Sequence, residues 1–162
     1  MIITFTADEI FEMAEEIERS GAAFYREAAA ISSDDDTKQL LSDMAAAEEE
    51  HLKNFQHMRK RLGAQEDMAM IDSDRRSSMY LQTMADARGW EGRLSPTQEL
   101  SGNETASDII EIALNSEKES VVFYFGLKGL VSTSAGKEKV EEIIIEELGH
   151  ITALLKKLKS LV

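Results

Sequence analysis

The sequence lacks cysteine altogether and has one proline, Pro96, among its 162 residues. Without cysteine the chain cannot form disulfides, thiolate zinc sites, cysteine-held iron–sulfur clusters or c-type haem attachments, and thiol catalysis is excluded. A single proline is not typical of an all-β protein, which needs many turns. No apolar run approaches the ~20 residues that a membrane-spanning helix requires. These absences favour a helical protein that does not span a membrane.

Basic residues are also scarce, with 18 Lys and Arg against 31 Asp and Glu, a net charge of −13. Nucleic acids and anionic membranes select for clustered Lys and Arg, so neither is expected as a partner. A surface of this charge repels its own copies and attracts cations. The N-terminal residues show no basic stretch followed by an apolar run of signal-peptide length, so the cytoplasm is the default expectation.

Apolar residues recur with helical period in four blocks, at residues 7–30, 34–62, 106–131 and 135–160. Thr6 followed by Glu9 predicts a capping box for the first block, and Thr105 or a neighbour is expected to cap the third. Gly63 is predicted to end the second block. Only a few residues link the first block to the second and the third to the fourth. Each of these pairs is therefore expected to form an antiparallel hairpin.

Residues 63–105 separate the two hairpins and include the only tryptophan, Trp90, and the only proline. A connection this long rarely lacks structure of its own, and residues 75–87 are expected to form a short helix. Two hairpins joined by one long crossover make the ferritin-like version of a four-helix bundle. The sequence therefore predicts an all-α, antiparallel four-helix bundle, with residues 1–162 forming a single domain.

The two hairpins repeat each other. An offset of 99 residues aligns them without gaps. Repeats usually preserve apolar core positions, so the matched polar residues are the informative ones. The matched residues of the first hairpin are Ile10, Glu12, Ala14, Glu18, Phe24, Tyr25, Glu48, His51 and Leu62, and those of the second are Ile109, Glu111, Ala113, Glu117, Phe123, Tyr124, Glu147, His150 and Leu161.

One glutamate in each helix occupies a position where the helical period calls for an apolar residue. On the fourth helix, for example, Glu147 lies between Ile143 and Ile151. His51 and His150 each follow such a glutamate by three residues, which puts the pair on one helix face. The four glutamates are Glu18, Glu48, Glu117 and Glu147.

Four unpaired carboxylates in a bundle core would each cost several kcal/mol. No Lys or Arg occupies a matching stripe position, whereas two divalent cations would balance the four charges. One Glu from each of two helices, with Glu-x-x-His from each of the other two, is the ligand set of di-iron and di-manganese carboxylate proteins. The predicted metal ligands are Glu18, Glu48, His51, Glu117, Glu147 and His150. The alternative is a polar core without metal.

Three further side chains require an interpretation. Tyr25 and Tyr124 follow Glu18 and Glu117 by two helical turns. They are either core aromatics with a hydroxyl in water or hydrogen-bond donors that orient a ligating carboxylate. His57 lies off the face of His51 and has no repeat counterpart, so it is expected at the surface.

These residues make the four helices resemble the rubrerythrin-like branch of the ferritin-like superfamily. The resemblance rests on Glu18 with Phe24 and Tyr25, on Glu48-x-x-His51, and on their repeats. It implies a di-iron bundle, often dimeric, that reduces hydrogen peroxide or oxidises Fe(II) with O₂ or peroxide. It also implies that Glu48 and Glu147 bridge or chelate metal, that Glu18 and Glu117 are terminal or bridging ligands, and that both histidines are terminal. Manganese or zinc suits the same ligands.

The chain departs from the family in two respects. It lacks the cysteines of a rubredoxin-like module, so electrons would come from an external donor. The family's additional glutamate, one turn after the third-helix ligand, is replaced by Ser120, and the first-helix counterpart is Gly21. The remaining ligand set looks as much like a bacterioferritin-type ferroxidase centre.

Three functions follow as expectations. The first is a di-iron oxidoreductase that reduces hydrogen peroxide or O₂ under oxidative stress, with the metal centre itself as the catalytic group. The second is a ferroxidase or iron-binding protein in iron homeostasis, with Fe(II) as a small partner. The third is a helical interaction module in which metal is structural or absent. A homodimer is expected, with its interface in residues 68–90.

Overall fold

The computed structural model describes residues 6–64, 79 and 99–161, and the side chains of these residues except 62–64. The helices of this part of the chain are α1 (Ala7–Ile31), α2 (Asp35–Ala64), α3 (Ala106–Leu130) and α4 (Ser134–Ser160). No strand occurs among the described residues. The predicted all-α four-helix bundle is confirmed, and each boundary agrees with the sequence pattern to within two residues.

Gly63 was predicted to end α2, and this stop signal was wrong because α2 continues through Gly63 to Ala64. A lone glycine costs a helix only about 1 kcal/mol relative to alanine, so glycine alone does not stop a helix. The predicted short helix at residues 75–87 and the predicted interface at residues 68–90 lie outside the described residues except for Met79, which is helical and exposed.

The helix starts follow from local side-chain chemistry. Thr6 and Glu9 form a capping box at α1, and Thr105 and Asp108 form its repeat at α3. Asp34 accepts the backbone N–H of Thr37 at α2 (2.9 Å). Each of these side chains satisfies backbone donors that the first helical turn leaves without a partner.

Each helix packs against its hairpin partner, and the two hairpins meet through α1 against α3 and α2 against α4. Tyr25 lies beside Glu117 and Tyr124 beside Glu18, so α1 and α3 are antiparallel. The hairpins are therefore related by an approximate twofold axis across the bundle. As a result α3 begins at the opposite end of the bundle from the end of α2, which explains the need for a long crossover.

Two apolar clusters occupy the two halves of the bundle, and the repeat maps one onto the other. Phe11 and Phe55 lie in the first cluster, and their repeat counterparts Ile110 and Leu154 lie in the second. The residues predicted as ligands lie along the helices between these clusters. Their position places a polar site in the middle of an otherwise apolar core. Within the described part of the chain, no helix is long and apolar enough to cross a membrane.

Candidate metal centre

The structure brings all six predicted ligand residues together at the middle of the bundle, in two overlapping groups. In each group one potential ligand atom per residue lies within 4.8 Å of the others. Glu48 and Glu147 belong to both groups, so they lie between the two halves of the site. The first group is Glu18, Glu48, His51 and Glu147, and the second is Glu48, Glu117, Glu147 and His150.

The four glutamates come from four different helices and are almost completely shielded from water. Glu18 and Glu147 are 0% exposed, Glu48 is 4% exposed and Glu117 is 3% exposed. Burying an unpaired carboxylate costs several kcal/mol, and here four of them share one small volume. The interior of the bundle therefore requires a source of positive charge at this point, either protons or cations.

Both histidines direct Nδ1 towards the carboxylates. His51 Nδ1 lies 3.1 Å from Glu147 Oε1 and 3.5 Å from Glu18 Oε2. His150 Nδ1 donates to Glu147 Oε2 at 2.8 Å. The two rings are 6.0 Å apart, one on each side of the approximate twofold axis. The Glu-x-x-His spacing thus places one imidazole at each half of the site. His57, in contrast, is exposed on the surface of α2, as expected.

Burial changes the acidity of the carboxyl groups. It raises the pKa of Glu18, and with repulsion from Glu18 and Glu147 it raises the pKa of Glu48 well above its ordinary value. Burial, with a contribution from Glu147, also raises the pKa of Glu117 to about 8. Glu117 therefore tends to hold a proton at neutral pH when no cation is bound, and the pKa shifts of Glu18 and Glu48 act in the same direction.

The histidines and Glu147 shift in the opposite sense, towards their charged forms. Burial acts to lower the pKa of His51, but the closeness of Glu147 and Glu18 outweighs it and raises that pKa to about 11. Glu117 and Glu147 likewise outweigh burial at His150 and raise its pKa to about 10. Burial acts to raise the pKa of Glu147, but its hydrogen bond to His150 and the closeness of His51 lower it. Imidazolium groups thus supply part of the positive charge that the site requires.

The two tyrosines connect the hairpins. The hydroxyl of Tyr25 on α1 donates to Glu117 Oε1 on α3, and the hydroxyl of Tyr124 on α3 donates to Glu18 Oε1 on α1. Burial and the nearby carboxylates raise the pKa of both phenols, so they stay protonated as donors. Both rings are fully buried, so the hydroxyls do not reach water. Each hydroxyl orients one carboxylate and leaves that carboxylate's second oxygen free.

Four buried polar atoms at the site have no hydrogen-bond partner. This observation indicates whether the site suits a metal ion. The orphaned atoms are Glu18 Oε2, Glu48 Oε1, His51 Nδ1 and Glu147 Oε1. They belong to the four residues of the first group, and orphaned buried polar atoms are rare in folded proteins. Carboxylate oxygens with imidazole nitrogens suit iron, manganese or zinc. The donor set and its missing partners therefore fit bound divalent cations.

Two further residues lie at this site in roles that the sequence did not predict. Glu146 accepts a hydrogen bond from His51 Nε2 at 2.8 Å, on the side of the ring that faces away from the centre. Gly21 lies against Glu48, since a Cβ atom at residue 21 would come within 2.6 Å of Glu48 Oε2. The signal for Glu146 was a mismatch in the repeat, because its counterpart 99 residues earlier is Ala47.

Comparisons with known proteins relate the chain to one fold. No family model matches the sequence, and no curated protein matches it. A solved structure from Thermotoga maritima, described as a candidate ferritin-like diiron-carboxylate protein, aligns with a TM-score of 0.71. It is 23% identical, and the alignment covers 98% of each chain. The chain therefore has a ferritin-like four-helix fold, and its buried Glu and His cluster fits a di-metal protein.

Proposed function

We propose that this chain is a rubrerythrin-like di-iron oxidoreductase that reduces hydrogen peroxide or O₂ with electrons from an external donor. The observation that carries the proposal is the pair of overlapping ligand groups whose buried oxygen and nitrogen atoms have no hydrogen-bond partner. The structural neighbour's description as a diiron-carboxylate protein supports iron over other divalent cations.

Each of the two ions would be held by one of the two overlapping ligand groups. Glu48 and Glu147 belong to both groups and would be shared between the ions. Glu18 and His51 complete one half. Glu117 and His150 complete the other half. With four carboxylates and two neutral imidazoles, two divalent ions would give a site without net charge.

Two bound Fe(II) ions would supply two electrons, which with two protons convert hydrogen peroxide to two water molecules, and the external donor would then restore those electrons. The chain itself would select small reactants and orient the carboxylates that hold the metal. Apolar clusters lie on both sides of the site, which suits small reactants such as hydrogen peroxide and O₂. Tyr25 and Tyr124 hold two carboxylates in place and present protonated hydroxyls inside a water-poor core.

The first test is an anaerobic titration of metal-stripped protein with Fe(II). We expect an end point at about two ions per chain. The double variant Glu48→Ala/Glu147→Ala should lose tight binding, because it removes the two carboxylates that belong to both ligand groups. Circular dichroism of the variant checks that its helices are retained. Glu49→Ala is the matched control, since Glu49 is an exposed neighbour that pairs with Arg26. An end point near zero would show that the core does not bind Fe(II), and the protein would then be a helical interaction module.

The second test measures peroxide chemistry by stopped-flow absorbance. The reduced, iron-loaded protein should consume peroxide much faster than the double variant, and with an excess of chemical reductant it should turn over repeatedly. His57→Ala, which removes an exposed histidine, should leave the rate unchanged. Equal peroxide rates for the wild-type protein and the double variant would rule out peroxide reduction at this site.

A ferroxidase is the second candidate, and one observation favours it. The family's additional carboxylate would fall at residues 21 and 120. At Gly21 a Cβ atom would lie 2.6 Å from Glu48 Oε2, so a side chain fits there only if Glu48 shifts. Ser120 at the other position donates its hydroxyl to the Ser116 carbonyl (3.1 Å). Under aerobic conditions a ferroxidase would oxidise many Fe(II) ions per chain and release the product. Oxidation of only about two ions per chain would exclude this function.

We also propose that the protein forms a homodimer. Exposed apolar side chains support association because they concentrate on the second hairpin, at Val122, Phe125, Ile145, Leu148 and Leu155. Two of them, Phe125 and Leu148, replace the surface ion pair of Arg26 with Glu49 in the first hairpin. Light scattering coupled to size exclusion should give twice the chain mass of 18.1 kDa. A mass of one chain at all concentrations would refute dimerisation.

A further inference from the structure

The two halves of the site are related by the repeat but differ at one position next to the histidines. Glu146 Oε2 lies 2.8 Å from His51 Nε2, on the outer side of the ring. The position related to Glu146 by the repeat is Ala47, whose methyl group cannot accept a hydrogen bond from His150. One histidine therefore has a carboxylate behind it, and the repeat-related carboxylate is missing behind the other.

The two histidines also differ in their exposure to solvent. The His51 side chain is 1% exposed, whereas the His150 side chain is 16% exposed. All four members of the first group are buried, but His150 in the second group is only partly buried. Water therefore reaches the second half of the site more readily than the first.

A carboxylate behind a metal-binding histidine has a known physical effect. It fixes the ring orientation and the tautomer, leaves the inner nitrogen free for the metal, and makes that nitrogen a stronger donor. Removing such a partner typically weakens metal binding by about 10–100-fold. At His51 the hydrogen bond to Glu146 leaves Nδ1 directed at Glu18 and Glu147. Nδ1 is one of the orphaned atoms, so it is available to a cation.

We propose that the two halves bind metal unequally and in a fixed order. The half containing Glu18 and His51 binds its ion first and tightly, with Glu146 as a positioning residue that acts through His51. The half containing Glu117 and His150 binds its ion second and exchanges it with solvent. This inference rests on the proposed di-metal function and adds an order of loading to it.

The two halves of the site then have different roles in holding metal. The ion beside His51 stays with the protein and keeps Glu48 and Glu147 in place. The position beside His150 is the one at which Fe(II) from solution enters and leaves. An iron-handling role would therefore use the His150 half, while the His51 half keeps its ion.

The test is an anaerobic titration of metal-stripped protein with Co(II) alone, followed by calorimetry and by the visible absorption of bound Co(II). We expect two steps whose affinities differ by about tenfold or more. His51→Ala should remove the tight step, and His150→Ala should remove the weak one. These two variants assign each step to one half of the site.

Variants of the positioning residue then test its role. Glu146→Ala should weaken the tight step by about tenfold or more and change its Co(II) spectrum, while leaving the weak step within about twofold. Glu146→Gln, which keeps an acceptor oxygen, should recover part of the loss. Ala47→Glu, which places a carboxylate at the repeat position, should tighten the weak step. Glu142→Ala is the control, because Glu142 is an exposed α4 glutamate that pairs with Lys139.

The outcomes separate this inference from the di-metal proposal. Two ions that bind with equal affinity, or a tight step insensitive to Glu146→Ala, would overturn the unequal loading and leave the di-metal centre intact. If Glu142→Ala weakened the tight step as much as Glu146→Ala, the effect would be one of general surface charge, and the positioning role would be rejected. The absence of any Co(II) binding would overturn both proposals.

Discussion

At the scale of single residues, the site depends on contacts between the two hairpins. Tyr25 donates to Glu117, and Tyr124 donates to Glu18, so each hairpin orients a carboxylate of the other. Because a buried acceptor that loses its donor cannot turn to water, such contacts are costly to remove. The tyrosines therefore contribute both to joining the hairpins and to the geometry of the site.

We predict that Tyr25→Phe and Tyr124→Phe each lower the free energy of unfolding by about 1–3 kcal/mol, because each leaves a buried glutamate oxygen without its donor. Chemical denaturation of the metal-free protein measures the change. Ser42→Ala, which removes an exposed hydroxyl that donates to the Lys38 carbonyl, should change stability by much less. Phenylalanine variants as stable as wild type would show that the hydroxyls are not needed to join the hairpins.

At Gly21 the absence of a side chain leaves room for the carboxylate of Glu48. In Gly21→Ala the new methyl group would lie 2.6 Å from Glu48 Oε2, so Glu48 must move away. We expect weaker metal binding with the fold retained, because alanine also favours the helix by about 1 kcal/mol. The measurement is the metal affinity by calorimetry. Gly149→Ala is the control, since nothing lies within 4 Å of its new methyl group and only helix stability should rise.

At the scale of helices, an ion-pair network fixes α1 against α2 at one end of the bundle. Arg59 on α2 contacts Asp8 through two hydrogen bonds (2.6 and 2.7 Å), and Glu15 and Glu12 lie 3.5 and 3.6 Å away. The hydrogen bond from Arg59 lowers the pKa of Asp8. The guanidinium of Arg59 thus forms ion pairs with three acidic residues on the neighbouring helix. Without this positive charge, the three carboxylates would repel one another.

We predict that Arg59→Met lowers the free energy of unfolding by about 1 kcal/mol, because a bidentate pair within a network is worth more than an isolated surface pair. Thermal and chemical denaturation measure the change. Lys53→Met is the control, since Lys53 pairs with Glu50 and both side chains are largely exposed. An equal effect of the two variants would contradict a special role for the network.

At the scale of the whole molecule, the core buries four carboxyl groups close together. Bound protons reduce the repulsion between these groups when no metal is present. The pKa of Glu117 rises to about 8 because of burial, and those of His51 and His150 rise to about 11 and 10 because of the neighbouring carboxylates. The folded chain therefore binds more protons than the unfolded chain in the neutral range. Their contribution to stability is present below the unfolded pKa of each group and is lost as pH rises through the folded pKa.

We predict that the metal-free protein loses stability as pH rises from about 5 to 8, by about 1.4 kcal/mol per pH unit for each extra proton held by the folded form. Denaturation at a series of pH values measures the slope. The Glu48→Ala/Glu147→Ala variant should show a smaller slope, because fewer carboxylates then hold the site protons. Stability that rises with pH over this range would contradict the assigned pKa shifts.

Metal should replace these protons. We predict that binding of divalent cations at pH 7 releases protons and raises the melting temperature, because ligands must lose their protons and the unfolded chain has no preformed site. Calorimetry in two buffers of different ionisation enthalpy counts the released protons. A melting temperature unchanged by saturating Fe(II), Mn(II) or Zn(II) would argue that no divalent ion binds this core.

The sequence by itself predicted the helices, their starts to within one residue, and the six Glu and His residues that the structure brings together. Local interactions explain this success, because capping boxes such as Thr6 with Glu9 and a 3.6-residue apolar period act within a few residues of each other. The repeat then identified Glu48 and Glu147 as the ligand candidates among several neighbouring glutamates. Only these two positions are related by the repeat and are each followed by a histidine three residues later. The same local rules misjudged Gly63, which α2 passes through.

Tertiary structure alone decided how these residues meet. Tyr25 and Glu18 are two turns apart on one helix, about 10 Å along its axis, so the partner of Tyr25 had to come from another helix, and packing selected Glu117. The close approach of α1 to Glu48 at Gly21 and the hydrogen bond of Glu146 to His51 are likewise contacts between different helices. Such contacts depend on how the helices are rotated and spaced in the bundle, which the packing of the whole core determines and no local pattern encodes.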